Sequence, residues 1–360
     1  MRTARVGKTL RWMAWWVVAT AVFGLAALPG VVQAGSVKIF MVPKFTGAAY
    51  FVATEQGARQ AVAELGRAGM PIDFFYTGTS VADTDGEIRI IDDLIAQRPD
   101  ALIVSANDAD ALVPVLRKAT QQGIRVVTYD ADVSDPSARA YFVNQATFTG
   151  VGATLIDVVA EQAGPRARYA IISADPGAAN QNAWIQAMRA RVRQAYPQMQ
   201  EVALRYGYDR PAESFAAAQD VLSAFRGRLD AIIAPTSVAL PRAAEAVQAA
   251  GLAGRVVVTG LSTPNDMREF VKSGVVRTVV LWNPVDLGYL AVYVANALVR
   301  GLQTTGPSGQ PGFEAGRLGF REAHARFEDI GPAGPVYLTN VIVLGPPYRF
   351  TAENIDQFNF

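Results

Sequence analysis

The sequence contains no cysteine and a single histidine, His324, in 360 residues. Without cysteine no disulfide can form, so the fold depends on its packed core alone, and no thiol is available for a lipid anchor. With one histidine and no cysteine, the chain lacks the side chains for zinc sites of the usual His/Cys kind and for Ser–His or Cys–His catalysis in the middle of the chain. The scarcity of these two residue types argues against an enzyme, and we expect no catalytic residue, metal or cofactor.

Neither sign of charge is in excess. The chain carries 33 Lys and Arg residues against 32 Asp and Glu residues, and 51% of its residues are hydrophobic. This is neither the composition of a disordered chain nor that of a protein that binds nucleic acid. The length of 360 residues is about right for two domains.

The first 34 residues form a separate segment, in which four cations precede an apolar run from Trp12 to Leu28. Small residues then precede a predicted cut after Ala34, as in a cleavable signal peptide. The run is somewhat long for a signal, so an uncleaved membrane anchor is the alternative. Removal of the four cations would lower the formal charge from +1 to −3. We therefore expect an exported, periplasmic protein with no electrostatic reason to bind nucleic acid.

From Ser36 onward, short β-branched runs alternate with amphipathic segments of helix length. This pattern predicts βαβ units and a mainly parallel sheet. A second, similar series begins near residue 140, which predicts an α/β fold of two doubly wound, Rossmann-like lobes with a ligand cleft between them. No G-x-G-x-x-G motif follows the first predicted strand, so the dinucleotide fingerprint is missing.

The run from Val126 to Asp132 is the first candidate for the site, because a β-branched strand ends there in Asp130. In an open α/β sheet, ligands bind at the carboxyl ends of the strands. A carboxylate at that edge offers acceptors to a hydroxylated ligand. The alternative is that Asp130 only caps a turn or the next helix.

Polar or aromatic residues follow nearly every other predicted strand. After the first strand come Lys44, Tyr50 and Phe51, and a cation with two aromatic rings suits a polyol. The alternative is that Tyr50 and Phe51 are ordinary core of the first helix. The remaining candidates are Asn107, Asn180, Gln181, Pro235, Ser237, Ser262, Trp282 and Asn283.

This set of side chains is poor in acid–base groups and rich in amides and hydroxyls. Three consecutive amides, from Asn180 to Asn182, lead to Trp184 at a predicted helix start, and a helix cap would explain one amide but not three. The set therefore favours recognition of a neutral, hydroxyl-rich solute.

Several of these segments together resemble the periplasmic sugar-binding proteins of ABC transporters, in particular the branch with rhamnose-binding and autoinducer-2-binding components. They are 42–45, 126–132, 180–184, 231–241, 282–289 and 353–358. The resemblance implies a type I periplasmic binding fold and a monomer that delivers a sugar to a permease in the inner membrane. It also implies a first lobe of 36–132 plus 285–319 and a second of 133–284 plus 320–360. The crossovers would lie near 132–136, 283–284 and 320–327.

The resemblance leaves the ligand open. Autoinducer-2 binders use a Lys, an Asp, an Asp-Gln pair, a Pro and an Ala, and the corresponding positions here are Lys44, Asp130, Asn180-Gln181, Pro235 and Ser237. An amide replaces the first acid of the pair and a serine replaces the alanine, which weakens a site built on charge-assisted hydrogen bonds. We therefore favour a rhamnose-like deoxyhexose.

There are four alternatives to a transport receptor for such a sugar. An autoinducer-2 receptor, or a sugar sensor for a signalling partner, would use the same cleft. An exported enzyme is disfavoured by the shortage of acid–base groups. A DNA-binding regulator of this fold needs an N-terminal helix-turn-helix, and the predicted signal peptide occupies that place.

Overall fold

The computed structural model describes residues 35–329 and 335–360. The predicted signal peptide, or membrane anchor, of residues 1–34 lies outside the described residues. Within those described ranges, no helix is both long enough and apolar enough to cross a membrane.

Strands and helices alternate along most of the described chain. The strands are β1 (Val37–Val42), β2 (Ile72–Tyr76), β3 (Ala101–Val104), β4 (Arg125–Tyr129), β5 (Tyr141–Asn144), β6 (Arg168–Ser173), β7 (Gln200–Tyr206), β8 (Ala231–Ala234), β9 (Val257–Gly260), β10 (Val279–Leu281), β11 (Thr304–Thr305), β12 (Pro311–Glu314), β13 (Phe320–Glu322), β14 (His324–Asp329), β15 (Pro335–Val343) and β16 (Tyr348–Phe350). The helices are α1 (Ala49–Arg67), α2 (Thr84–Ala96), α3 (Val113–Gln121), α4 (Phe148–Ala163), α5 (Ala179–Ala195), α6 (Pro211–Ala224), α7 (Ala239–Ala249), α8 (Pro264–Lys272) and α9 (Pro284–Arg300).

The first sheet has seven strands in the order β14-β15-β5-β4-β3-β1-β2. All neighbours pair in parallel except β14 and β15, which are antiparallel. Successive side chains of β1 point to opposite faces. Ile39 and Met41 pack in one core cluster with residues of α1 and α9, whereas Phe40 and Val42 pack in another with residues of α2 and α3. Helices therefore cover both faces of this sheet.

The second sheet has four parallel strands in the order β7-β6-β8-β9. A parallel bridge between Leu261 and Val280 links its edge to β10, which pairs in turn with β16. Helix α4 packs on α5, and α6 packs on α7. The predicted α/β architecture with doubly wound parallel sheets is confirmed.

Strand pairing corrects the place of two segments relative to the predicted crossovers. Strand β5 pairs with β4, and β15 pairs with β5 and with β14, so 141–144 and the antiparallel pair of β14 and β15 both belong to the first sheet. The chain leaves that sheet after Asn144 and after Val343, later than the expected 132–136 and 320–327. A short buried strand has the same apolar pattern in either sheet, so the sequence could not assign these two. The lobe bounds themselves stay predictions.

Helices α1 and α9 approach each other closely. A β-carbon on Gly57 would lie 1.7 Å from the carbonyl oxygen of Val285, and one on Gly288 would lie 1.9 Å from that of Thr54. These two glycines allow the first half of α1 to pack against the start of α9. The contact brings Tyr50 on α1 next to Trp282, which lies between β10 and the N-cap of α9.

Candidate functional site

A cavity lies at the carboxyl ends of strands from both sheets. It comprises about 390 Å³ of space free of protein atoms, including the part open to solvent. Its lining residues come from the end of β10, from the segments that follow β1, β4, β7, β8, β9 and β10, and from the starts of α1 and α5, as expected for an open α/β sheet. The lining residues are Lys44, Phe45, Tyr50, Phe51, Asp130, Asn180, Gln181, Trp184, Asp209, Pro235, Thr236, Ser237, Leu261, Leu281 and Trp282.

Asp130 combines an uncommon backbone conformation with two hydrogen bonds to its carboxylate. It follows β4 with a φ of +61°, a left-handed conformation that is uncommon for residues other than glycine but tolerated by Asp. Its carboxylate accepts hydrogen bonds from the Tyr50 hydroxyl at 2.9 Å and from the Ser105 hydroxyl at 2.8 Å. Both donors are side-chain hydroxyl groups, whereas a carboxylate that caps a helix accepts from backbone N–H groups of the first turn. The structure therefore argues against the helix-cap alternative for Asp130.

The carboxylate of Asp130 is buried and therefore desolvated. Burial raises the pKa of Asp130, and the charge of Lys44 and the two hydroxyl donors oppose that shift. Burial and the neighbouring Asp130 carboxylate likewise raise the pKa of Tyr50 well above its usual value, so its phenol remains a hydrogen-bond donor. The pair presents a fixed acceptor to the cavity.

Aromatic rings form one wall of the cavity. The rings of Tyr50 and Phe51 meet edge to face at 5.1 Å, and those of Trp184 and Trp282 lie 5.7 Å apart. Tyr50 and Phe51 are thus both core residues of α1 and cavity residues, so the two interpretations of these positions hold together. Such rings offer apolar faces to the C–H groups of a ligand.

Lys44 connects the loop after β1 with the start of α5. Its Nζ lies 3.3 Å from Asn180 Oδ1 and 3.5 Å from Gln181 Oε1, and the side chain is buried. Asn180 Nδ2 in turn lies 3.5 Å from the carbonyl oxygen of Asp130. These distances are at the long limit of hydrogen bonding, so the groups retain capacity for other partners.

Three of the sequence candidates do not line the cavity but hold its loops. Asn107 Nδ2 donates to the carbonyl oxygen of Lys44 and to Glu87 Oε2, each at 2.7 Å. The Ser262 hydroxyl donates to the carbonyl oxygen of Ser237 at 3.2 Å. Asn283 accepts from the backbone N–H groups of the first turn of α9, as a helix cap. The other nine candidates are Lys44, Tyr50, Phe51, Asp130, Asn180, Gln181, Pro235, Ser237 and Trp282, and all of them line the cavity.

Sequence analysis missed Asp209, which lines the cavity opposite the first sheet's residues. It lies three residues beyond β7, with a φ of +48°, and accepts a hydrogen bond of 2.6 Å from the Thr236 hydroxyl. Burial raises the pKa of Asp209, and Lys44 opposes the shift. The candidate list contains no residue from the loop after β7, although the rule of reading the residues after each strand applies there as well. The other lining residues that were not among the candidates are Phe45, Trp184, Thr236, Leu261 and Leu281.

The chemistry of the cavity is hydrogen bonding. Across the parts of the chain that the structure describes, no cluster of three His, Cys, Asp or Glu residues could hold a metal ion. His324 lies on β14 and does not line the cavity. Acceptors, donors and aromatic faces converge on a small space, which suits a small molecule rich in hydroxyl groups.

Comparison with protein families gives a match over residues 39–303 to the family described as periplasmic binding protein domain. Among curated proteins, the D-xylose-binding periplasmic protein of Escherichia coli K12 is 23% identical over 221 residues, which cover 59% of this chain and 64% of that protein. The D-ribose/D-allose-binding protein of Pseudomonas aeruginosa is 46% identical over 48 residues, 13% of this chain and 15% of that protein. The chain thus spans less than two thirds of either curated relative.

Solved structures match over most of the chain. A sugar ABC transporter protein from Actinomyces odontolyticus is 33% identical with a TM-score of 0.67, and the match covers 91% of this chain and all of that one. A solute-binding protein from Clostridium phytofermentas with bound L-rhamnose is 29% identical, with a TM-score of 0.80 and coverage of 90% and 98%. LsrB from Clostridium saccharobutylicum in complex with AI-2 is 25% identical, with a TM-score of 0.81 and coverage of 90% and 100%.

Proposed function

Since the chain belongs to the periplasmic binding protein domain family, we propose that it is the solute-binding protein of an ABC importer. It binds a small neutral sugar in the cavity and delivers it to a permease in the inner membrane. The chain acts in the periplasm, as a monomer, after removal of its signal peptide. No catalytic step and no cofactor enter this function.

The observation that carries the proposal is the division of the cavity into a polar and an aromatic part. Asp130, Asn180 and Gln181 supply acceptors for sugar hydroxyls, and Lys44 supplies a cation. The aromatic wall packs against the C–H face of a pyranose ring. The indole Nε1 of Trp184 is buried and has no hydrogen-bond partner within the described residues, so a ligand oxygen can accept from it.

For the identity of the sugar, we favour a rhamnose-like deoxyhexose. Asn180 stands where autoinducer-2 binders carry an acid, and a relative of 29% identity binds L-rhamnose. The alternative is autoinducer-2, because a relative of 25% identity binds AI-2. Four residues that match that pattern, Lys44, Asp130, Gln181 and Pro235, line the cavity here.

A sensing role is the second candidate, since the same cavity serves a receptor that reports its occupied state to a signalling partner. A ligand shifts the equilibrium between open and closed forms only by its differential affinity for them. In either role the closed, occupied form is what the partner recognises.

A thermal-shift screen of residues 35–360 tests the proposal, with L-rhamnose, autoinducer-2, D-xylose and D-ribose as ligands. A ligand that binds the folded state raises the melting temperature by mass action. We expect one sugar to raise it in the native chain and to have no effect on Asp130→Asn or Asp130→Ala. Asparagine tolerates the left-handed backbone, so the first variant removes the charge alone.

The matched control is Asp110→Asn, which neutralises an exposed carboxylate outside the cavity. It is expected to respond to the sugar like the native chain. A flat response of the folded native chain to the whole panel refutes binding of these sugars, and an undiminished response of both Asp130 variants refutes the role of that residue.

A further inference from the structure

A second groove adjoins the cavity and shares two of its residues, Lys44 and Asp209. We call it the outer groove. Its charged residues are four carboxylates and two cations, namely Asp83, Asp85, Asp175, Asp209, Lys44 and Arg210. Negative charge therefore prevails in the outer groove, and Asp209 stands beside Lys44 where the groove meets the cavity.

The backbone around Asp209 is held in an unusual conformation. Tyr208 and Asp209 are consecutive residues with φ values of +54° and +48°. Residues other than glycine adopt such angles at a cost, and these conformations persist where the surroundings enforce them, often at functional sites. Here Tyr208 N donates to the carbonyl oxygen of Ala174 at 2.8 Å, and the neighbouring Gly207 N donates to that of Ser173 at 2.8 Å.

The carboxylate of Asp209 is only partly engaged. Thr236 donates to Oδ1 at 2.6 Å, and Oδ2 accepts no hydrogen bond from the described residues. The carboxylate of Asp130, by contrast, has a donor on each oxygen. Asp209 is also partly exposed. It therefore has a free acceptor at a cavity wall.

We propose that Asp209 is a specificity-determining residue, a second carboxylate that binds a hydroxyl group of a neutral sugar and excludes sugar acids. Asp130 and Asp209 reach the cavity from the first and the second sheet respectively, so one ligand that contacts both joins the two sheets. This inference rests on the proposed function, because it concerns the ligand of the same cavity.

The charge balance of the cavity explains the exclusion of acids. Lys44 is the cation among the lining residues, against the carboxylates of Asp130 and Asp209. The negative charge of Asp209 contributes to raising the pKa of Asp130, so the two carboxylates interact. A ligand carboxylate would add a third negative charge to a space that already holds two, and like charges in a desolvated site repel strongly.

Calorimetry with three sugars tests this inference on the chain of residues 35–360. L-rhamnose and D-fucose are neutral, and D-galacturonate differs from D-fucose only in carrying a carboxylate in place of the C6 methyl group. We compare the native chain with Asp209→Asn, which keeps an acceptor for Thr236 and tolerates the left-handed backbone. The control is Asp175→Asn, which removes the same charge from the outer groove but lies outside the cavity lining.

We expect Asp209→Asn to bind the neutral sugar about tenfold more weakly or worse, because a charge-assisted hydrogen bond is lost. The ratio of its affinity for D-fucose to its affinity for D-galacturonate should fall at the same time. Asp175→Asn should bind the neutral sugar within about twofold of the native chain, because it loses no ligand contact. The melting temperature is measured for each variant, and Asp209→Gly, which also accepts a positive φ, replaces Asp209→Asn if that variant does not fold.

Two results would overturn the inference, and they differ. If the native chain binds a neutral sugar and Asp209→Asn binds it equally well, the role of Asp209 is wrong while the proposed function stands. If the native chain binds neither neutral sugar nor the acid, the proposed function fails for these ligands and the inference fails with it.

Discussion

The indole Nε1 of Trp282 donates a hydrogen bond of 2.9 Å to the hydroxyl of Tyr50, a residue 232 positions away in the sequence. The Tyr50 hydroxyl accepts from Trp282, so its own proton is left to donate to Asp130 Oδ1, which lies 2.9 Å away. This relay joins the end of β10, the first turn of α1 and the end of β4. It fixes the carboxylate of Asp130 before any ligand arrives, which lowers the ordering cost of binding.

Replacement of Tyr50 by phenylalanine breaks this relay. The variant leaves the buried Trp282 Nε1 without its acceptor and removes one of the two donors to Asp130. We expect the free energy of unfolding to fall by about 1–2 kcal/mol, and sugar affinity to fall about tenfold. Urea denaturation and calorimetry measure the two effects.

The control for this prediction is Tyr293→Phe. The Tyr293 hydroxyl donates to Glu64 at 2.8 Å, and Tyr293 is not among the cavity residues. This variant is expected to lose stability without losing affinity. An unaltered affinity in Tyr50→Phe would show that the relay does not orient Asp130 for binding.

Asp132 is predicted to stabilise the fold and to leave ligand binding unaffected. Arg139 contacts both oxygens of its carboxylate, at 3.1 and 2.6 Å, and the exposed fractions of the two side chains are 0% for Arg139 and 9% for Asp132. Asp132→Ala leaves a buried guanidinium without its carboxylate, which costs about 3–5 kcal/mol of unfolding free energy. Urea denaturation measures this loss.

An exposed ion pair provides the comparison for Asp132. Lys118 and Asp92 pair on the surface, with side chains 50% and 48% exposed. Asp92→Ala should cost less than about 1 kcal/mol. Equal losses in the two variants would contradict the importance assigned to burial, and weaker sugar binding by folded Asp132→Ala would contradict its purely structural role.

Glu87 makes stability depend on pH. It is buried, and burial raises its pKa to about 8, against opposing hydrogen bonds from Asn107. In the unfolded chain the carboxyl ionises near pH 4.3. The folded state therefore binds more protons between these pH values, so the contribution of Glu87 is full below about pH 4 and is lost as the pH rises towards 8.

Glu87→Gln removes this titration while keeping the shape of the protonated acid. We expect the stability of the variant relative to the native chain to rise by roughly 2–4 kcal/mol between pH 5 and pH 8. Chemical denaturation at a series of pH values measures the difference. The pKa values of Asp130 and Asp209 are also raised, but both residues are present in both proteins. Their contributions to the pH dependence therefore cancel in the difference between the two unfolding free energies. A difference that stays constant with pH would mean that Glu87 is ionised in the folded state.

The local sequence pattern was sufficient to predict much of the fold and part of the candidate site. Alternating apolar runs predicted the strands and helices, because side-chain periodicity follows from backbone geometry alone. The rule that ligands meet the carboxyl ends of parallel strands led to Asp130, Lys44 and Trp282, all of which line the cavity. Asp209 was missed because it lies three residues beyond the end of β7, in a loop from which no candidate was taken.

The sequence by itself determined the strands of the βαβ units and that carboxylates follow β4, since both are properties of neighbouring residues. It did not predict the strands β11 to β14 and β16. It could not determine that Asp132, two residues beyond Asp130, pairs with Arg139. Nor could it determine that β5 and β15 join the first sheet. The pairing of β15 with β5 joins segments that are far apart in sequence. The pairing of β4 with β5 and the ion pair of Asp132 with Arg139 are more local, but they too form only when the sheet is assembled. The tertiary structure thus decided which of several similar side chains reach the cavity.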